Sequence, residues 1–446
     1  MKTSCSKKIL TASIDLLLYV AGLLLSFALR YQGNFPAINF IPTLYMLPLF
    51  LLTFLIIANI YGLYSEYQKY DDTIASLVCI MLISCLINMA FTFFFRQFAV
   101  PRTIFLLSSM LQFILIGSWR ALVWKKSLLV GPIKTAVIIG QAGEIHTLRQ
   151  GITRNLSRGM QIVQEMHISP EKPEEFFPRW KQLQKHSSIQ NIDILILCAS
   201  VPLEYRSELF DFAVRGDKTI MIVPGIYELF LQNAHLISAG DMPVMQLQSM
   251  STPPYLAIVK RMMDIVLSIP ALMLLSPAML FIACAIKLDT PGPVFYIQPR
   301  VGLKNKEIKI CKFRTMYTDA EKHSGPALAE ENDPRITRVG HFLRKTRLDE
   351  IPQFWNVLRG DMSLVGPRPE REYFISEYTK TIPEFSYRTN IKAGITGLAQ
   401  VEGTYTTNPE NKLKYDLFYA QNQSLANDLV ILMRTAKVIF LKDKAQ

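Results

Sequence analysis

Charged side chains make up only 19% of the 446 residues, against the roughly 25% typical of soluble proteins. Half of the residues are hydrophobic and the mean hydropathy is +0.21. That balance excludes a disordered chain and argues against a wholly soluble one. The six cysteines, Cys5, Cys79, Cys85, Cys198, Cys284 and Cys311, lack metal-ligand spacing, and most sit in apolar runs. They read as small buried hydrophobes in a reducing compartment, without a disulfide framework. A complete dinucleotide fingerprint is also missing. Gly140-Gln141-Ala142-Gly143-Glu144 lacks the third glycine and the spacing of G-x-G-x-x-G, so it reads as a tight strand-to-helix turn without a ligand. An NAD-dependent oxidoreductase or epimerase is thereby disfavoured. No small-residue cleavage site follows the first apolar run, which is expected to stay as an anchor.

Four long apolar runs fill the N-terminal part, roughly residues 9–29, 40–63, 73–95 and 103–123. Each is long enough to span a hydrocarbon core of ~30 Å as a helix. Lys2, Lys7 and Lys8 precede the first, and Lys125 and Lys126 follow the fourth. Both ends of this four-span bundle are therefore expected on the cytoplasmic side, although Arg96 and Arg102 in the second outer loop run against the rule. From about residue 134 the rhythm changes to short strands (135–140, 192–199 and 219–223) alternating with polar helical segments such as 176–185. That is the pattern of a Rossmann-like α/β domain, read as structural or regulatory. The net charge of +12 calls for an anionic partner. The cations cluster beside membrane segments and no nucleic-acid-binding fold is apparent, so no nucleic acid is expected; anionic lipids and phosphorylated substrates remain.

A fifth apolar stretch, residues 265–286, carries no charge, is flanked by Lys260, Arg261, Asp264 and Lys287, and contains Pro270 and Ser276-Pro277. A proline inside a helix removes a backbone hydrogen bond and kinks the chain; Ser276 is placed to satisfy the freed carbonyl. A fifth crossing would put the basic residues that follow outside the cell, against the charge rule. A helix that enters and returns on the cytoplasmic side satisfies both flanks. Beyond it come Pro291-Gly292-Pro293 and a series of cations: Arg300, Lys304, Lys306, Lys309, Lys312 and Arg314. In residues 334–353, Ile336, Val339 and Leu343 recur at helical spacing with cations on the other face, which also suits a helix lying at lipid headgroups.

Asp349 and Glu350 interrupt the basic stretch. Lys345 lies four residues before Asp349, the spacing of an ordinary helical ion pair. Among so many cations, however, a carboxylate is expected to have a lowered pKa and to stay ionised, as a nucleophile or metal ligand requires. One carboxylate would attack phosphorus while the other holds a hard cation such as Mg²⁺. Val365-Gly366-Pro367-Arg368-Pro369 then supplies a rigidly held arginine. Together these parts suit phosphoryl transfer.

Five segments carry a close resemblance: KRMMDIVLSIPALMLLSPAML, DTPGPVFYIQPRVG, KICKFRTM, NDPRITRVGHFLRKTRLDEIPQFWNVLRGDMSLVGPRPE and AGITGLAQVEG. From Lys260 onward the chain resembles the catalytic domain of the monotopic phosphoglycosyl transferases, the bacterial sugar transferase family. The whole chain is similar to its long subgroup, which includes undecaprenyl-phosphate glucose and galactose phosphotransferases. The resemblance implies transfer of a hexose 1-phosphate from a UDP-sugar to undecaprenyl phosphate, with release of UMP, to start a lipid-linked glycan. It implies that Asp349 forms a covalent phosphosugar intermediate and that Glu350 helps bind Mg²⁺. Lys312, Arg314, Arg344 and Arg368 would surround the phosphates, and Ser276-Pro277 would mark the kink of a re-entrant membrane helix. Thr404 and Tyr405 stand where many relatives carry Arg after the AQVxG element, a departure that touches any nucleotide or sugar contact there.

The expected architecture is a four-span α-helical bundle (1–130), a Rossmann-like accessory domain (131–250) and a mainly α catalytic domain (251–446) whose re-entrant hairpin covers 260–290. The expected setting is a homodimer in the bacterial inner membrane, with the catalytic domain on the cytoplasmic face.

Overall fold

The computed structural model describes residues 2–438 except 66–69, 96–99, 127–132, 156–158, 170–174, 186–189, 248, 319, 321–332 and 405–406. Arg96 and Tyr405 thus lie outside the described residues. Contacts divide the chain into two compact units, Met1–Pro224 and Gly225–Gln446.

In the first unit each apolar run forms one helix: α1 (Lys2–Arg30), α2 (Ala37–Ile60), α3 (Tyr70–Phe94) and α4 (Arg102–Lys126). All four are long and apolar enough to cross a membrane. α4 packs against α1 and α3, and α2 against α3. Leu17, Ile38 and Phe94 point outward, while polar side chains turn inward and pair, because an unmatched polar group in hydrocarbon costs several kcal/mol. Asp15 of α1, fully buried, forms an ion pair with Arg120 of α4. Asn88 donates to the Tyr19 hydroxyl (3.0 Å) and accepts from Thr53 (3.1 Å).

The rest of this unit is a parallel sheet: β1 (Lys134–Gly140), α5 (Ala142–Asn155), β2 (Met160–His167), α6 (Phe176–Gln184), β3 (Ile194–Leu197), α7 (Leu203–Arg215) and β4 (Thr219–Ile222). The strand order β2-β1-β3-β4 is that of an open, doubly wound fold. β2 has no counterpart in the sequence reading. A register shift against β1 falls between Ile162 and Gln164, so Val163 breaks the alternation that would have marked the strand. Gly140 is explained by packing, since a Cβ there would overlap Cys198. The turn is closed by the chain itself: the Glu144 carboxylate accepts from the Ser200 hydroxyl, which in turn accepts from the Gln141 N–H (3.0 Å).

The second unit opens with α8 (Ile226–Leu231), the exposed antiparallel hairpin β5 (His235–Ala239) and β6 (Met242–Gln246), and the long helix α9 (Pro254–Asp289). There follow the antiparallel pair β7 (Phe295–Val301) and β8 (Glu307–Phe313), α10 (Arg338–Thr346), a 3₁₀ turn over Leu348–Glu350, α11 (Gln353–Arg359) and β9 (Ser363–Val365). The chain ends with α12 (Glu372–Thr381), a 3₁₀ segment over Pro383–Asn390, β10 (Gly394–Thr396), α13 (Leu398–Glu402), α14 (Pro409–Gln421) and α15 (Leu425–Val438). β9 and β10 pair in parallel. Leu229 and Met250 tie the start of this unit to its core, sharing a buried cluster with Val301, Phe385, Leu413 and Leu417.

α9 is also long and apolar enough to cross a membrane. Its interior prolines, Pro270 and Pro277, each remove one backbone hydrogen bond. Ser276 Oγ donates to the Met273 carbonyl (2.8 Å), the acceptor that an N–H at position 277 would have reached. The middle of the helix is bare, with Leu274 81% exposed. Both flanks pack on the protein. Arg261 donates to the Val357 and Leu358 carbonyls of α11, and Ile282 and Ile286 join a buried cluster with Phe313, Leu343 and Ile351. Cys284 is exposed on this helix, unlike the buried Cys79, Cys85 and Cys198.

Candidate active site

Local sequence places Asp349 and Glu350 at a break between helices. Thr337 caps α10 by accepting from the Gly340 N–H (3.0 Å). The helix ends at Thr346 because Arg347 adopts a left-handed conformation (φ 56°) and caps it. Lys345 and Asp349 therefore do not share a helical face, and the sequence spacing of an ion pair between them does not apply. Leu348 and Ile351, packed with Ile286 and Phe313, fix the 3₁₀ turn between them. Opposite it, Gly366 lies against the backbone of Lys392 and Gly394, where no Cβ fits. That contact sets the turn from which Arg368 projects.

The Arg368 guanidinium makes a two-point pair with Glu350, Nη2 to Oε1 and Nη1 to Oε2 (3.3 Å). Lys312 Nζ lies 3.5 Å from the same carboxylate. Arg388 donates to the Arg368 carbonyl (2.9 Å) and pairs with the buried Asp416 (2.8 Å). A cleft of about 380 Å³ opens over this arrangement and is lined by Lys312, Arg314, Arg344, Asp349, Glu350 and Arg368. Arg344 donates to Thr315 (3.2 Å) at its wall. Arg314 borders the cleft, but its guanidinium donates to the carbonyls of Thr290 (2.8 Å) and Pro291, so that it braces the Pro291-Gly292-Pro293 turn. Ser276 and Pro277 belong to α9 and do not line the cleft.

Further cations complete the lining: Arg347 and Arg371, close in sequence to Asp349 and Arg368, and Arg300, Arg388 and Lys412 from other elements. Gln298 and Arg300 lie two apart on β7, facing the cleft with Tyr296, a period-2 signal present in the sequence. Arg388 and Lys412 are brought in only by folding. Thr404 also lines the cleft; its N–H donates to Thr407 (2.8 Å).

The two carboxyls titrate apart, which corrects the expectation that both are held ionised by cations. Burial, and then the neighbouring Glu350 charge, push Asp349 up to about 6. Burial alone would raise Glu350 too, but Arg368 and Lys312 hold it well below the usual carboxylate range. The cations are spent on Glu350, leaving Asp349 the desolvated partner; adjacent carboxyls pushed apart in this way divide acid, base and nucleophile roles. Burial lowers Lys312 and brings Arg300 down to about 10. Among the described residues nine basic side chains line the cleft against three acidic ones, so an anion is the ligand that relieves their desolvation.

Among the described residues, no group of three or more His, Cys, Asp or Glu side chains is placed to hold a metal ion. Mg²⁺ needs only one or two carboxylates when waters and substrate phosphates fill its remaining positions. Glu350 would meet that requirement by sharing its carboxylate with Arg368 and Lys312, which it already faces.

The profile of bacterial sugar transferases matches residues 255–442. Over 197 residues the chain is 44% identical to a UDP-N-acetylgalactosamine-undecaprenyl-phosphate N-acetylgalactosaminephosphotransferase of Aeromonas hydrophila, covering 44% of this chain and 46% of that one. It is 37% identical over 258 residues to a UDP-glucose:undecaprenyl-phosphate glucose-1-phosphate transferase of Xanthomonas campestris pv. campestris, covering 56% and 53%. The exopolysaccharide production protein PSS of Rhizobium leguminosarum bv. phaseoli is 44% identical over 186 residues, which are 40% of this chain but 93% of the relative. The chain thus spans about half the length of the first two relatives and nearly all of the third.

Proposed function

Since the chain belongs to the bacterial sugar transferase family, we propose that it moves a sugar 1-phosphate from a UDP-sugar to undecaprenyl phosphate and releases UMP. The observation that carries the reading is the split carboxyl pair under Arg368, set in a cation-lined cleft. Asp349, ionised above about pH 6, attacks the phosphorus that bears the sugar. The bond from that phosphorus to the bridging oxygen breaks, and the electron pair leaves with UMP. The acyl phosphate on Asp349 is then attacked by an oxygen of the lipid phosphate, which expels the carboxylate and yields the lipid diphosphate sugar. A covalent intermediate lets the two anionic substrates use one site in turn.

Arg368, Lys312 and Arg344 bind and orient the phosphates. Glu350 would hold Mg²⁺ together with diphosphate oxygens, and the ion would offset the charge that develops on the departing UMP. Glu350 also keeps the Arg368 guanidinium aimed at the site before substrate arrives.

The same reading places the site at the cytoplasmic surface of the bacterial inner membrane, where a soluble and a lipid-bound substrate meet. Three observations support a re-entrant α9: both flanks pack on one unit, its middle is bare and apolar, and Ser276 replaces the hydrogen bond lost at Pro277. On a straight helix Arg261 and Ile282 would lie about 30 Å apart. The test is release of UMP by the purified protein in nanodiscs containing undecaprenyl phosphate, with UDP-glucose, UDP-galactose and their N-acetyl derivatives offered in turn. Release beyond one equivalent per enzyme that depends on both the lipid phosphate and one of these donors supports the reading; no release with any donor refutes it.

A further inference from the structure

A helix that only anchors has no use for buried polar groups, yet α9 carries Lys260, Asp264 and Ser268 at four-residue intervals, all buried. Asp264 Oδ1 accepts from the Leu364 N–H (2.9 Å) and the Ser363 hydroxyl (3.1 Å), two consecutive residues of β9. Lys260 forms an ion pair with Asp428 of α15 and donates to the Tyr419 hydroxyl (2.8 Å) and the Val365 carbonyl (3.4 Å). The Tyr419 hydroxyl donates to Asp428 (2.6 Å) and reaches the same Val365 carbonyl (3.3 Å). β9 is therefore held on one side by two side chains of the membrane helix and on the other by β10. Three residues beyond its last member stands Arg368.

We infer that Asp264 is a positioning residue: through β9 it sets the reach of Arg368 to Glu350, and so couples the seating of the membrane helix to the geometry of the phosphate site. It touches neither substrate nor reacting atoms. The inference rests on the transfer reaction proposed above for its kinetic arm only. Its physical basis is that the Leu364 N–H and Ser363 hydroxyl are buried and have Asp264 as acceptor, so loss of that carboxylate leaves donors unsatisfied and forces β9 to shift. A shift of the order of 1 Å in a group that orients substrate costs roughly 100-fold in rate.

Full-length protein in nanodiscs carries both arms of the test. In hydrogen exchange of the peptide covering Ser363–Val365, Asp264→Ala should speed exchange roughly tenfold, whereas Asp264→Asn, which keeps the acceptor oxygen, should change it far less. In UMP release, Asp264→Ala should lower kcat roughly 100-fold in the wild-type background, but by less than about threefold on top of Arg368→Lys, because residues acting through one another are not additive. Asp264→Asn should restore most of the rate. Equal losses in both backgrounds would make Asp264 merely structural, and unchanged exchange would remove its hold on β9; either overturns the inference. If Asp264→Ala fails to fold, Ser363→Ala, which deletes one of the two donors, takes its place in both arms. Absence of UMP release by the wild type would fall on the transferase reading, while the exchange arm still decides whether Asp264 holds the strand.

Discussion

Cutting the chain at Gly225 or at Thr252 should give two fragments of similar chemistry and very different stability. Every residue assigned to the reaction follows Lys260, so both fragments keep the site. Only the longer one keeps Leu229 and Met250, which are buried with Val301, Ile375, Phe385, Leu413 and Leu417. It also keeps Asn233, whose amide donates to the Gln421 carbonyl (2.8 Å). Burying two such apolar side chains and making one hydrogen bond contribute roughly 4–7 kcal/mol together. Against a typical total of about 5–15 kcal/mol, that is a large share. For a unit of this size the loss corresponds to a fall in melting temperature of roughly 10–25 °C. Trp355 is the single tryptophan of both fragments, so its fluorescence reports unfolding of this unit in detergent or nanodiscs. Equal melting temperatures would refute the packing argument. A folded 225–446 fragment without transfer activity would show that the N-terminal unit takes part in the reaction.

The pH dependence of kcat/KM should rise through about 6 to a plateau, since the Asp349 carboxyl, raised from 3.8 to about 6, must ionise to attack. Because its folded pKa is raised, the stability it contributes is full below about 4 and is lost as pH rises through about 6. Asp349→Asn should accordingly abolish transfer yet raise stability at pH 7.5 by roughly 1–3 kcal/mol, read by thermal unfolding; a destabilised variant would contradict the assigned burial. Arg314→Ala should lower stability by roughly 2–3 kcal/mol while moving the KM for the UDP-sugar little; a stable variant with KM raised tenfold would make Arg314 a phosphate ligand instead. Tyr255→Cys and Ile297→Cys, both at exposed positions beside the two ends of α9, should escape an impermeant thiol reagent in intact cells and react after permeabilisation, in a background lacking native cysteines. Labelling of position 297 alone in intact cells would mean that α9 crosses the bilayer.

The long-range plan of the molecule was legible because its signals are long. Each of the four apolar runs became a helix at close to the expected bounds, and the proline-broken run became the middle of a longer helix, Pro254–Asp289. Short elements carried less information: β2 was hidden by its bulge, and α8 has only six residues, too few for a periodic pattern to show that Leu229 faces Phe385. At the site, Asp349, Glu350 and Arg368 stood out because carboxylates and a proline-flanked arginine interrupted a basic stretch. Their division of labour did not. It depends on which carboxylate the guanidinium reaches, a matter of the left-handed Arg347 and the backbone contact at Gly366. Nor does a sequence reveal that Arg314 is taken up by two turn carbonyls, or that Lys260 finds Asp428 across 168 residues.

The central claim is that Asp349 becomes bonded to the phosphosugar. Purified protein mixed with its UDP-sugar in the absence of lipid phosphate, quenched in acid and measured by intact mass, should gain the mass of one sugar phosphate as one equivalent of UMP appears. Peptide mapping should place it on Asp349, and added undecaprenyl phosphate should discharge it. Transfer that proceeds with no adduct on the wild type, or an adduct that persists in Asp349→Asn, would contradict the account.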